Sequence, residues 1–272
     1  MLAGLAAGLV PAFVLAPGPL AARMSGGGFG DQRHLIDSFS TSFVGYWSSG
    51  DRDLSPDLER VVDYWLGYHV VKASIAAALL AVLIALGVRL WKAFGQAHER
   101  GAGLGAGRTA ALATAGIAVT ALGLASAAAV MANVQGAMAP LSSLLSMLPT
   151  HPPHGALADT LDQVRRQLAD YPQAGDRTPP AVEALVGDFS LYHLVIAVAA
   201  PVVAVALVGL SVVAWRRSAR TAASDRRARR VLRSFGLLWA VLSLGFVVLA
   251  AANASTAADP APALLAFFRG GW

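Results

Sequence analysis

The pair Tyr68-His69 stands at the threshold of a long apolar run, and the same pair, Tyr192-His193, stands at the threshold of another. Neutral imidazole ligates both haem iron and divalent metals. His69 and His193, brought together by a symmetry axis, would therefore make a two-histidine metal or haem site. A second ligating pattern is His151-Pro-Pro-His154, where the two prolines hold the chain extended and no further ligand sits nearby, so an ordinary exposed loop is preferred. The chain has no cysteine, which excludes thiolate ligands, disulfides and cysteine nucleophiles. It also lacks a Ser-His-Asp spacing, paired catalytic carboxylates and a phosphate loop. The stretch GAGLGAG at 101–107 follows an apolar helix where a dinucleotide motif needs a strand, and reads as a flexible loop. A non-catalytic protein without a cofactor is the expectation.

A plainer role for the histidines is preferred. At the mouth of a membrane helix an imidazole needs a hydrogen-bond partner, because desolvating it unpaired is costly. Asn133 and Asn253 fall at matching depth on the following apolar helices. A His-Asn link inside each helical hairpin would contribute about a kcal/mol or less. Tyr68 and Tyr192, beside Trp65 and Phe189, then read as an aromatic belt at one interface, and Trp91 and Trp215, each followed by a base, as its counterpart at the other. The run containing Arg216, Arg217, Arg226, Arg227, Arg229 and Arg230 reads first as a topology signal, and it also suits anionic lipid headgroups.

The elements that position these residues follow from composition. With 56% hydrophobic and 14% charged residues and a mean hydropathy of +0.57, the chain belongs in a bilayer. Uncharged runs of roughly 16 to 25 residues, enough to cross about 30 Å of hydrocarbon, occupy 73–88 (the span extending outward through Lys72 to Val70), 110–134, 194–214 and 237–252. Residues 1–22 make a fifth candidate, read as a retained helix and not a signal peptide: it lacks a basic leading segment and an A-x-A site, and Pro11 and Pro17 are poorly placed for cleavage.

The basic balance, +5 at neutral pH, does not point to nucleic acid, because the cations are concentrated in two loops. Residues 89–108 hold four and 215–233 hold eight of the 21 Lys and Arg, together with only two of the 16 acids, Glu99 and Asp225. By the positive-inside rule both loops are cytoplasmic, the N-terminus is inside and the C-terminus outside a bacterial cytoplasmic membrane. High Ala, Gly and Arg usage fits a GC-rich bacterial genome.

The chain also resembles itself. A shift of 124 pairs Pro56, Glu59, Tyr68, His69 and Trp91 with Pro180, Glu183, Tyr192, His193 and Trp215, and a shift of 120 pairs Gly116, Asn133 and Pro140 with Gly236, Asn253 and Pro260. The outer segments match more loosely, Asp37 meeting Asp162 and Tyr46 meeting Tyr171. Both copies enter the membrane in one direction, which makes them parallel repeats. Ser55 and Thr178 read as N-caps before Pro and a first-turn acid. The stretches LIDSFSTSFVGYW and ALADTLDQVRRQLADY read as amphipathic outer helices, and the first also fits a loop.

The expected fold is thus an all-α integral membrane protein with about five transmembrane helices, arranged as two parallel tandem hairpin repeats with helical extracytoplasmic segments. Its divisions are an N-terminal helix (1–22), repeat 1 (23–136) and repeat 2 (137–272). No span carries a charge near its centre, and small residues such as Ala76, Ala77, Ala81, Ala200, Ala204 and Gly209 recur. The preferred class is a membrane subunit or scaffold whose partners are lipids and either its own copies or other membrane subunits. A transporter component with a pore or lipid groove on the repeat axis, and a redox protein using His69 and His193, are the alternatives. A transport path would need a polar stripe, for which Ser74, Thr114, Thr120, Ser126, Asn133, Ser211, Ser243 and Asn253 are the candidates.

Overall fold

The computed structural model describes residues 1–99, 106–149, 154–223 and 226–271, and within them every regular element is a helix. In chain order these are α1 (Leu2–Leu15), α2 (Pro17–Met24), α3 (Gln32–Ser49), α4 (Pro56–Glu99), α5 (Ala106–Met138), α6 (Pro140–Leu145), α7 (Ala156–Ala174), α8 (Pro180–Arg220), α9 (Arg226–Ala258) and α10 (Pro260–Phe268), with one 3-10 turn at Gly175–Arg177. Four helices contain windows long and apolar enough to cross a membrane: Pro56–Gln96, Ala111–Met138, Pro180–Arg220 and Ala228–Ala258. A fifth span arises if α1 and α2 are counted as one.

Helices α4 and α8 have 44 and 41 residues. At about 1.5 Å per residue each is roughly twice as long as a hydrocarbon core is thick. Each therefore has an apolar length and an amphipathic length in one unbroken rod. In α8 the amphipathic part exposes Glu183 on one side and buries Ala181, Val182, Leu185, Val186 and Phe189 on the other. Pro201 lies inside α8, where it removes one ladder bond without ending the helix.

Two expectations are corrected. The N-terminal segment is not one helix over 1–22: it breaks at Ala16, and its halves are bent by 57°. Pro17 and Pro19 lack the N–H groups that would bond to Phe13 and Leu15, so two ladder bonds are missing within one turn and the axis is free to bend there. At the start of α4 the Ser55 hydroxyl faces the Leu58 N–H at 3.4 Å as a cap, but Thr178 does not cap α8. The second proline of Thr-Pro-Pro moves the cap position to Pro179, and the Thr178 hydroxyl instead donates to the Gly175 carbonyl at 2.9 Å.

The chain forms two compact units, one comprising 1–43 and 54–148, the other 44–53 and 149–272. In the first, α4 and α5 pair along their length, α1 and α2 lie on α4, and α6 closes on the ends of the pair. Leu58, Val61, Val62, Leu144 and Leu145 are buried there, and Ala76, Leu83 and Met131 lie buried further along the helices. In the second, α8 and α9 pair in the same manner and α7 packs on α10, with Leu161, Val164, Leu168, Leu264 and Phe268 buried. Arg165 fastens that contact by donating from Nε to the Phe268 carbonyl at 2.7 Å. Helix α3 is amphipathic, burying Leu35, Phe39, Phe43, Tyr46 and Trp47 at three- and four-residue spacing.

Candidate functional site

The two Tyr-His pairs occupy the same kind of setting, each inside its own hairpin. His69 Nδ1 lies 2.9 Å from Asn133 Oδ1, and His193 Nδ1 lies 2.8 Å from Asn253 Oδ1. Both asparagines donate from Nδ2 to a carbonyl one turn back on their own helix, Asn133 to Ala129 at 2.7 Å and Asn253 to Leu249 at 2.9 Å. That second bond orients the amide, so the oxygen faces the imidazole and the proton resides on Nδ1. Nε2 is then the unprotonated ring nitrogen. In both histidines it is buried and without a partner among the described residues.

Aromatic rings hold each imidazole from the preceding turn. Trp65 meets His69 edge-on at 4.7 Å, and Phe189 meets His193 at 4.6 Å. Trp65 also stacks on Tyr68 at 5.0 Å and donates its indole N–H to Ser143 Oγ at 2.7 Å, tying α4 to α6. Lys72 does not simply extend outward: its ammonium lies 4.7 Å from the centre of the Phe13 ring and 5.1 Å from that of Tyr68, linking α1 to α4. Gly136 completes the first setting. A Cβ there would stand 2.6 Å from His69 Nε2, so only glycine allows the α5 backbone to lie against the ring. Trp65, Lys72 and Gly136 are contributors that the repeat comparison does not single out, since Phe189, Ile196 and Thr256 replace them in the second copy.

At the other end of the hairpins, Trp91 donates to Thr120 Oγ1 at 3.3 Å and Trp215 lies over Gly236. Cβ atoms at Gly116 and Gly236 would approach those indoles to 3.2 and 2.7 Å. Ser211 Oγ donates to the Gly236 carbonyl at 2.8 Å beside it.

The arginine run divides in two. Arg216 and Arg217 are exposed on the last turns of α8. Arg226, Arg229 and Arg230 instead line an open cleft of about 420 Å³ with Trp215, Arg233, Ser234 and Leu237. Arg227 lies on the same turn, with its side chain outside the described residues, as is His151; His154 is exposed beside Gly155. Among the described residues no group of three or more His, Cys, Asp or Glu side chains converges as a metal site would require.

Tyr46, near the end of α3, is fully buried with its hydroxyl 3.5 Å from the Ala181 carbonyl. Burial, with the Asp188 carboxylate adding to it, pushes the phenol up to about 12.

These features define the class: an all-helical protein with four to five long apolar helices, compatible with a multi-pass membrane protein. Comparison with known proteins narrows it no further, as no family model, curated protein or solved structure matches the chain significantly.

Proposed function

We propose that the chain is a non-catalytic multi-pass membrane subunit that assembles with its own copies or with other membrane proteins in a bacterial cytoplasmic membrane. The observation that carries this reading is where the polar groups of the long helices go. Of the eight candidates for a polar stripe, seven have partners inside their own hairpin or helix. Ser126 donates to the Ala76 carbonyl, Ser243 to Ala204, Ser211 to Gly236, Ser74 to Val70 and Thr120 to Gly116, while Asn133 and Asn253 hold the histidines. The bonds of Ser126, Ser243, Ser211, Asn133 and Asn253 lock helix to helix, those of Ser74 and Thr120 satisfy the hydroxyl within its own helix, and the outer faces left are apolar. Only 17 to 28% of the residues in the four apolar windows are buried, so most of each span faces lipid or another chain. On α4, Ala77, Ala81 and Ala85 form an exposed ridge at four-residue spacing, a surface against which another helix can pack closely.

The arrangement follows from the same reading. The helices of the second hairpin begin 124 and 120 residues after those of the first, α4 and α8 at Pro56 and Pro180, α5 and α9 at Ala106 and Arg226. Together with the recurring His-Asn bond, this supports a tandem duplication of parallel hairpins with both basic loops in the cytoplasm.

The test uses the absence of native cysteine. Ala81→Cys in membranes is expected to give a disulfide adduct with a second copy or with a co-extracted protein, while Val205→Cys, on an exposed face of α8, gives less. A monodisperse monomer in mild detergent, with no adduct from Ala81→Cys and no co-purifying chain, would overturn the assignment.

A second reading, haem or metal binding, is favoured by one observation: the unprotonated Nε2 of His193 has its Nδ1–H held by an acceptor, the usual arrangement of a ligating histidine, whereas at His69 the Gly136 backbone already lies against Nε2. An absorption spectrum and metal analysis of wild type beside His69→Ala and His193→Ala decides it. Colour or metal lost in the variants supports the reading, and a colourless, metal-free wild type removes it.

A further inference from the structure

The cleft between the last turns of α8 and the start of α9 contains more positive charge than a topology signal requires. Residues 215–233 carry eight arginines against the single acid Asp225. Four of the arginines, Arg226, Arg229, Arg230 and Arg233, line one cleft, and no ion pair to any of them occurs among the described residues. Arg229 Nε is buried there without a partner among the described residues. A guanidinium whose N–H is removed from water and left unpaired is costly, and the cost is relieved by an anion. The helix ends add to the imbalance. The first turn of α9 has no acid, and its arginines crowd the positive end of the helix dipole, where anions are favoured and cations are not.

The other hairpin provides an internal comparison. At the same distances from the start of α5 stand Ala106, Thr109, Ala110 and Ala113 in place of Arg226, Arg229, Arg230 and Arg233. Its loop, 89–108, is basic with only four cations. The concentration of arginine on α9 is thus particular to the second hairpin and calls for a local anion.

The walls define what kind of anion. Arginine forks match the oxygens of a phosphate. From Arg226 to Leu237 the cleft runs along α9 from a polar mouth toward the apolar part of the span, with Trp215 and Leu237 supplying apolar surface. We propose that this cleft binds the phosphate of an anionic phospholipid headgroup, with Arg229 and Arg233 as principal ligands and the acyl chains continuing along α9. The inference goes beyond the scaffold reading and holds whether or not the chain assembles with itself.

The experiment is native mass spectrometry of the full-length protein in mild detergent, titrated with dioleoyl phosphatidylglycerol, with dioleoyl phosphatidylcholine and inorganic phosphate as separate arms. Arg229→Gln/Arg233→Gln is compared with Arg216→Gln/Arg217→Gln, which removes the same charge from outside the cleft. Because only the first pair lines the cleft, it is expected to weaken phosphatidylglycerol binding at least about tenfold and the control pair about twofold or less. Arg229→Lys/Arg233→Lys, which preserves charge and solubility, is expected to recover only part of the affinity. Competition by millimolar phosphate supports the phosphate chemistry while pointing to a free anion as the source. Equal losses in both Gln pairs, or equal binding of phosphatidylcholine and phosphatidylglycerol, would overturn the proposal.

Discussion

Replacing Asn133 by valine removes the acceptor of the His69 Nδ1–H, which lies 2.9 Å away, and leaves that N–H facing apolar surroundings. The consequence can be worked from two magnitudes. Orphaning a buried donor costs about 1 to 3 kcal/mol, whereas the hydrogen bond itself, in a bilayer, is worth about 0.6 and at most roughly 1.7 kcal/mol. Asn133→Val should therefore destabilise by about 2 kcal/mol. Adding His69→Leu removes the orphan, so the double variant should cost less than the sum of the single variants by about 0.6 to 1.7 kcal/mol. His69→Leu alone still loses the contact with Trp65, while Asn133 retains its bond to the Ala129 carbonyl. The assay is reversible unfolding in mixed detergent micelles, followed by far-ultraviolet circular dichroism, on the full two-by-two cycle. The cycle at His193 and Asn253, with an equivalent bond at 2.8 Å, should return a similar coupling. Strict additivity in both cycles would show that the bonds contribute nothing, and that the histidines are retained for another purpose.

Gly236→Val is expected to destabilise by about 1 to 3 kcal/mol through overpacking against Trp215, measured as a fall in unfolding midpoint, and Gly245→Val, where nothing lies within 4 Å, by much less. For Tyr46, the folded phenol titrates near 12 against about 10 in the unfolded chain, so the neutral form is favoured by folding. The associated stability is complete below pH 10 and is lost as pH rises through 12. Between those values wild type should lose about 2 kcal/mol more than Tyr46→Phe in pH-dependent unfolding, and superimposable curves would refute the burial of that hydroxyl.

The all-helical, membrane-compatible architecture was legible from sequence because it rests on quantities summed over many residues. The uncharged runs at 73–88 and 194–214 are long enough that no local residue can reverse the outcome, and both lie within the long helices α4 and α8. The pairing of His69 with Asn133 was also accessible, since a buried polar side chain on one helix of a hairpin must seek its partner at the same depth on the other. Other features depended on three-dimensional placement. The break at Ala16 depends on two prolines acting within one turn of an otherwise apolar segment, which hydropathy does not register. Lys72 reads in sequence as a snorkelling cation, yet it settles over Phe13 and Tyr68 because α1 is packed there. The arginines of 215–233 are alike in sequence. Only the packing of α8 beside α9 separates Arg216 and Arg217 from the four that share a cleft with Trp215, because which side of a helix a cation occupies is decided by what packs beside it.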